Sequence, residues 1–188
     1  MKIRYNAPVT LTFALISAII LALDQFLGTQ IIPTICTAPP KGFFEIRNPL
    51  SYIRLVAHVA GHADWSHLLS NFSFILLIGP ILEEKYGSVT LLIMIIFTAL
   101  VTGIINSLFF STGLLGASGI VFMMILLSSF TNISGKDIPL TFILILVLYL
   151  SREIINSFKT DDISEFAHII GGFCGSLFGY LKPARRNA

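Results

Sequence analysis

Long uncharged runs divide the chain, and short charged clusters separate them. Tyr5 to Leu23 gives 19 residues without a charge. A second apolar run starts at Trp65 and stops at the cluster "EEKYG". Tyr86 to Gly135 then gives 50 uncharged residues. A helix needs about 20 apolar residues to cross a bilayer, so 50 are too many for one helix. Polar residues and glycines from Asn106 to Gly116 interrupt this run and predict two helices inside it. The pattern predicts spans near 7–27, 65–82, 88–107, 116–131, 138–157 and 163–181. The expected fold class is all-α: a polytopic membrane helix bundle with six transmembrane helices, forming one domain over 1–188. Between the first two spans lies a long connection, Gly28 to about His62, with Pro33, Pro39, Pro40, Lys41, Arg47 and Arg54. Its aromatic and apolar residues predict short helices lying in the membrane interface.

Composition supports the same class. Hydrophobic residues make up 55% of the chain and charged residues 12%, with mean hydropathy +0.86. Soluble domains carry about 25% charged residues. A net charge of +2 gives no basis for nucleic-acid binding. Cys36 and Cys174 form no disulfide framework and read as two unpaired thiols. Lys2 and Arg4 ahead of an apolar stretch resemble a signal peptide, but the stretch is long and no small-x-small site closes it. It is read as the first span. With six helices both ends lie on one side, and Lys2, Arg4, Lys182, Arg185 and Arg186 place that side in the cytoplasm. Three basic residues in the first connection weaken that count without reversing it.

Polar groups inside spans are costly and mark function. Three sets stand out: His58, His62, His67 and Asn71 in "HVAGHADWSHLLSN", Ser118 in "GASG", and His168 in "EFAHIIGGFCGSLFGY". All 4 histidines of the chain fall in these sets. Asn71, Ser118 and His168 each lie 14 residues before a polar boundary residue, namely Lys85, Asn132 and Lys182. At 1.5 Å per residue each sits roughly 21 Å above the cytoplasmic boundary. The three groups then share one level in a core of about 30 Å. Gly113 and Gly116 delay the helix that carries Ser118, so it begins inside the membrane. Non-helical backbone at that depth has to line a cavity or be buried in protein. Free N–H groups at a helix start suit an oxyanion. Gly171, Gly175 and Gly179 follow His168 at the spacing that lets two membrane helices approach closely. If the partner is the Ser118 helix, imidazole and hydroxyl can meet, and Phe122 lies one turn on, placed to pack against the ring.

Each signal also has a plain reading. Small residues abound in membrane helices, and a lone histidine in a span is more often a packing or hydrogen-bonding residue. His58 and His62, at i and i+4, have a metal-binding spacing, but His67 lies about 140° further round a helix. No metal or other cofactor is expected. Glu165 precedes His168 by three residues and reads as a solvated helix end. The sets gain weight jointly, through their common depth.

With these residues the chain resembles the rhomboid family of intramembrane serine proteases, over about Arg54 to Leu181. "HVAGHADWSHLLSN" is similar to the family's histidine-rich signature ending in H-x-x-x-N. "LEEKYGS", with Glu83, Lys85, Gly87 and Ser88, is similar to E-x-[RK]-x-G-S. "GASG" matches G-x-S-G across Gly116, Ala117, Ser118 and Gly119, and "AHIIGGFCG" matches A-H-x-x-G-x-x-x-G. Departures are Ile53, where bacterial members carry an aromatic before Arg54, and Phe122, where a tyrosine is usual. The resemblance implies a Ser118–His168 dyad without a carboxylate. It also implies an oxyanion hole from His67, Asn71 and the backbone N–H groups of Ala117 and Ser118. Supporting roles fall to Arg54, His58, His62, Glu83, Gly116, Gly119, Phe122, Gly171 and Gly175. The implied partners are transmembrane protein substrates and the lipid bilayer, and the implied location is a bacterial cytoplasmic (inner) membrane. Two other readings are a non-catalytic rhomboid-like protein that binds membrane helices, whose kind typically lacks the serine or histidine, and a small-molecule transporter, which neither a charged pair nor a repeat supports.

Overall fold

The computed structural model describes residues 4–131 and 162–182, with positions 140–141, 143–144 and 147–148. In chain order the elements are α1 (Pro8–Leu27), α2 (Ile31–Thr34), α3 (Pro49–Ala57), a 3-10 turn (His58–Ala60), α4 (Trp65–Tyr86), α5 (Ser88–Phe109), α6 (Ser118–Ser128) and α7 (Asp162–Leu181). No strand occurs among the described residues, although Ala38 and Leu114 form one isolated antiparallel bridge. The fifth expected span, 138–157, lies outside the described residues except at the positions above, which are helical. The side chain of Glu165 also lies outside them.

Local chemistry explains the boundaries. Pro8 opens α1, where its missing N–H costs nothing, and Gly28 ends it in the left-handed region at φ 63°. Asp64 caps α4 by accepting from the His67 N–H at 2.8 Å. Asn48 caps α3 by accepting from the Leu50 N–H at 3.0 Å. The second span was expected to stop near Leu82, before its charges, yet α4 runs on to Tyr86. The reason is that Glu83 is buried and partnered. Its carboxylate accepts the Val9 N–H at 2.9 Å, the Thr10 N–H at 3.0 Å and the Thr10 hydroxyl at 2.9 Å. A carboxylate at a helix N-terminus satisfies orphan donors and meets the positive end of the dipole.

Among the described residues α1, α4 and α5 are long and apolar enough to cross a membrane, with mean hydropathies of 1.9, 1.4 and 2.5. α6 is shorter: 11 residues, or roughly 16 Å at 1.5 Å each. It is apolar all round and lies at the centre, the pattern of a fully enclosed helix. Ile120, Met123, Met124, Leu126 and Leu127 are all buried there. α4, α5 and α7 pack around it.

The closest of these contacts is with α7, and glycine makes it possible. A Cβ on Gly171 would collide with the carbonyl of Gly119, one on Gly175 with the carbonyl of Met123, and one on Gly179 with the ring of Phe130. Gly171 and Gly175 thus meet α6 backbone to backbone. On the other side, α1 packs against α4 where Gly79 meets Thr10.

Candidate functional site

α6 begins at Ser118, just after Ala117 as its cap, because Gly116 cannot extend it. Gly116 sits at φ 114°, and a Cβ there would lie 2.7 Å from the His67 ring. Only glycine combines that backbone angle with that approach. The Gly116 N–H donates to the His58 carbonyl at 3.0 Å. Ala117 then supplies the carbonyl for the first helical bond, from the Val121 N–H at 2.9 Å. The N–H groups of the first turn have no partner within the helix and carry its positive end.

Ser118 faces a cavity of about 790 Å³. α4 contributes His67, Ser70, Asn71 and Phe74 to its wall, and α6 contributes Ser118, Val121, Phe122 and Ile125. The loop from Thr112 to Leu115 forms another side, and His168 of α7 and Ala63 complete the described lining. Four candidate residues from three separate helices, His67, Asn71, Ser118 and His168, therefore share one space. The ring centroids of Phe122 and His168 lie 4.4 Å apart at 40°, which fixes the imidazole against α6. Phe110 and Phe166, 4.6 Å apart, join the end of α5 to the start of α7 just outside. The Asn71 amide donates to the His67 carbonyl at 3.0 Å.

The other two histidines are not among the described lining residues. His58 is buried against α5, its Nε2 at 3.0 Å from the Ala99 carbonyl and 3.3 Å from the Thr102 hydroxyl. His62 is buried under His67, with ring centroids 5.0 Å apart, and its Nδ1 lies 3.3 Å from the Ala60 carbonyl. Burial holds both imidazoles down at about 4; for His62 the neighbouring His67 adds to it, and the carbonyl partners oppose it. Both are neutral at pH 7 and act in the framework. Among the described residues no cluster of three His, Cys, Asp or Glu side chains offers a metal site. Arg54 also stands apart from the cavity, its Nε donating to the Thr37 carbonyl at 2.7 Å. Glu83 lies on the last turn of α4, at the start of α1.

One group of polar residues escaped the sequence reading. Thr98, Thr102 and Asn106 lie at i, i+4 and i+8 on α5, all at most 1% exposed. Asn106 and Ser107 had served only as interruptions of an apolar run. A polar stripe at helical spacing inside a span was the signal that could have singled them out.

Taken together, these features define a membrane helix bundle with a largely apolar cavity, holding a few polar side chains, beside a short central helix. The chain belongs to the rhomboid family: residues 49–185 match the Rhomboid domain. It is similar to Rhomboid protease GlpG of Haemophilus influenzae, at 24% identity over 136 residues, 71% of each chain. It is also similar to Rhomboid-like protein 11, chloroplastic, of Arabidopsis thaliana, at 26% identity over 141 residues. That match covers 74% of this chain and 47% of the plant protein.

Proposed function

We propose that the chain is an intramembrane serine endopeptidase that cuts transmembrane segments of other proteins. Ser118 is the nucleophile and His168 the general base. The observation that carries this reading is the single cavity in which Ser118, His168, His67 and Asn71 meet. The kinship with a protein named as a protease supports it.

In this reading His168 takes the proton from the Ser118 hydroxyl as its oxygen attacks the scissile carbonyl carbon. The carbonyl oxygen becomes an oxyanion. The N–H groups of Ala117 and Ser118, the His67 ring and the Asn71 amide receive its charge. The imidazolium then gives its proton to the leaving amine, and the C–N bond breaks. Water, activated by the same imidazole, hydrolyses the acyl-serine. Phe122 stacks on the imidazole and limits its rotation, the orienting task that a carboxylate performs in other serine hydrolases. A helix hides its carbonyls, so substrates unwind locally at the cut and favour small or helix-breaking residues there. Six spans with both termini in the cytoplasm of a bacterial inner membrane set this cavity toward the outer face.

The test is cleavage of a transmembrane substrate in detergent by the native chain, Ser118→Ala, His168→Ala and the double variant. Both single variants are expected to be inactive yet folded, with the double no worse than either, because the pair acts in one step. Proteolysis retained in purified Ser118→Ala would overturn the assignment.

A further inference from the structure

We infer that Asn106 is a positioning residue that fixes the substrate-facing wall of the cavity separately from the nucleophile; this rests on the protease reading above. The wall is the loop from Thr112 to Leu115, which lines the cavity together with α4 and α6. A polypeptide that fills this cavity meets it.

Asn106 is 1% exposed, near the end of α5. Its amide nitrogen donates to the Thr112 carbonyl at 3.0 Å and to the Pro39 carbonyl at 3.3 Å. Both partners are acceptors, so only the NH₂ end can face them, and both of its hydrogens are used. Ser107 reaches the same Pro39 carbonyl at 2.9 Å, but its one hydrogen is shared with the Gly103 carbonyl at 3.0 Å. Asn106 is thus the side chain that joins the wall to the 37–40 connection. Backbone pairs between Ala38 and Leu114, at 2.8 and 3.2 Å, extend the same seam.

The nucleophile has a different anchor. Gly116 is held by the His58 carbonyl, and the His58 ring is held by Ala99 and Thr102. Removing Asn106 therefore loosens the wall while leaving the Gly116–Ser118 turn tied. Substrate binding should suffer, and the reactivity of Ser118 toward a small reagent should not.

The variants are Asn106→Leu, which keeps the branched shape and removes both donors, and Asn106→Gln, which keeps the amide. Three measurements are made in one detergent: steady-state kinetics on a transmembrane substrate, labelling of Ser118 by a small fluorophosphonate probe, and hydrogen exchange of the peptides over 110–117. For Asn106→Leu the expected result is a KM raised about tenfold with kcat within about threefold. Labelling should match the native rate, and exchange should quicken in the 110–117 peptides. Asn106→Gln should recover part of the KM. A fall in kcat and labelling together, or unchanged exchange in 110–117, overturns the proposal, as does an unchanged KM. Should Asn106→Leu fail to fold, Asn106→Gln must show the same KM-only effect in milder form, and a wholly native KM then counts against the proposal. If native chain and Ser118→Ala are alike unlabelled and inactive, the protease reading has failed instead. Hydrogen exchange still reports whether Asn106 holds the wall.

Discussion

Asn71 spends one amide hydrogen on the His67 carbonyl, which leaves its second N–H for the cavity it lines. That division suits a residue held in place at rest and used only when charge develops. Asn71→Ala is expected to lower kcat by about tenfold to a hundredfold. This is less than the 10²–10³ typical of losing one oxyanion donor, because His67 and backbone N–H groups still share the charge. KM should change little. A raised KM with unchanged kcat would make Asn71 a binding or framework residue. Much of the cavity was legible at this scale, because ionisable and amide side chains inside apolar runs are rare enough to stand out. Asn106 was not, since a polar residue next to a predicted helix end reads as part of a loop. His58 and His62 were legible as members of a motif, but their work is to hold carbonyl groups rather than to line the cavity.

Between elements, the decisive contact is α6 against α7. Gly171→Leu places a side chain where the Gly119 carbonyl now lies. The helices have to separate, so His168 moves away from Ser118. Overpacking costs about 1–3 kcal/mol. The variant should therefore melt earlier in detergent and lose most of its proteolysis; a native melting profile with full activity would contradict the close contact. The glycine stripe announced a close helix contact, because small residues at i, i+4 and i+8 let two membrane helices approach, but it left the partner helix open. Helix boundaries were less legible. α4 outlasts its expected end because Glu83 is paired to the start of α1, a partner 73 residues away from Thr10. No local pattern encodes a pairing of that kind. α6 begins two residues later than expected, because Gly116 adopts a backbone angle foreign to a helix.

For the molecule as a whole, the buried histidines just before α4 couple stability to pH. His58 and His62 have folded pKa values near 4 against an ordinary 6.5. Below 6.5 the unfolded chain takes up protons that the folded chain refuses. The stability these groups provide is complete above 6.5, falls as pH drops toward 4, and changes no further below that. One such group alone accounts for roughly 2 kcal/mol lost by pH 5. Thermal unfolding in detergent should thus shift to lower temperature between pH 7 and pH 5, and His62→Gln should flatten the dependence. An equally steep dependence in that variant would mean that other groups govern it. The Glu83 pairing has a consequence of another sort, in the order of events during synthesis. α1 has no cap of its own: Ala7 offers no side-chain acceptor, and the first-turn donors Val9 and Thr10 depend on Glu83. A ribosome adding about 5–20 residues per second takes on the order of 4–15 s to travel from one partner to the other. Throughout that interval the first turn of α1 has no fixed end. Its final register is set only when α4 has been inserted to its full length, so the first helix to be made is finished no earlier than the second long one.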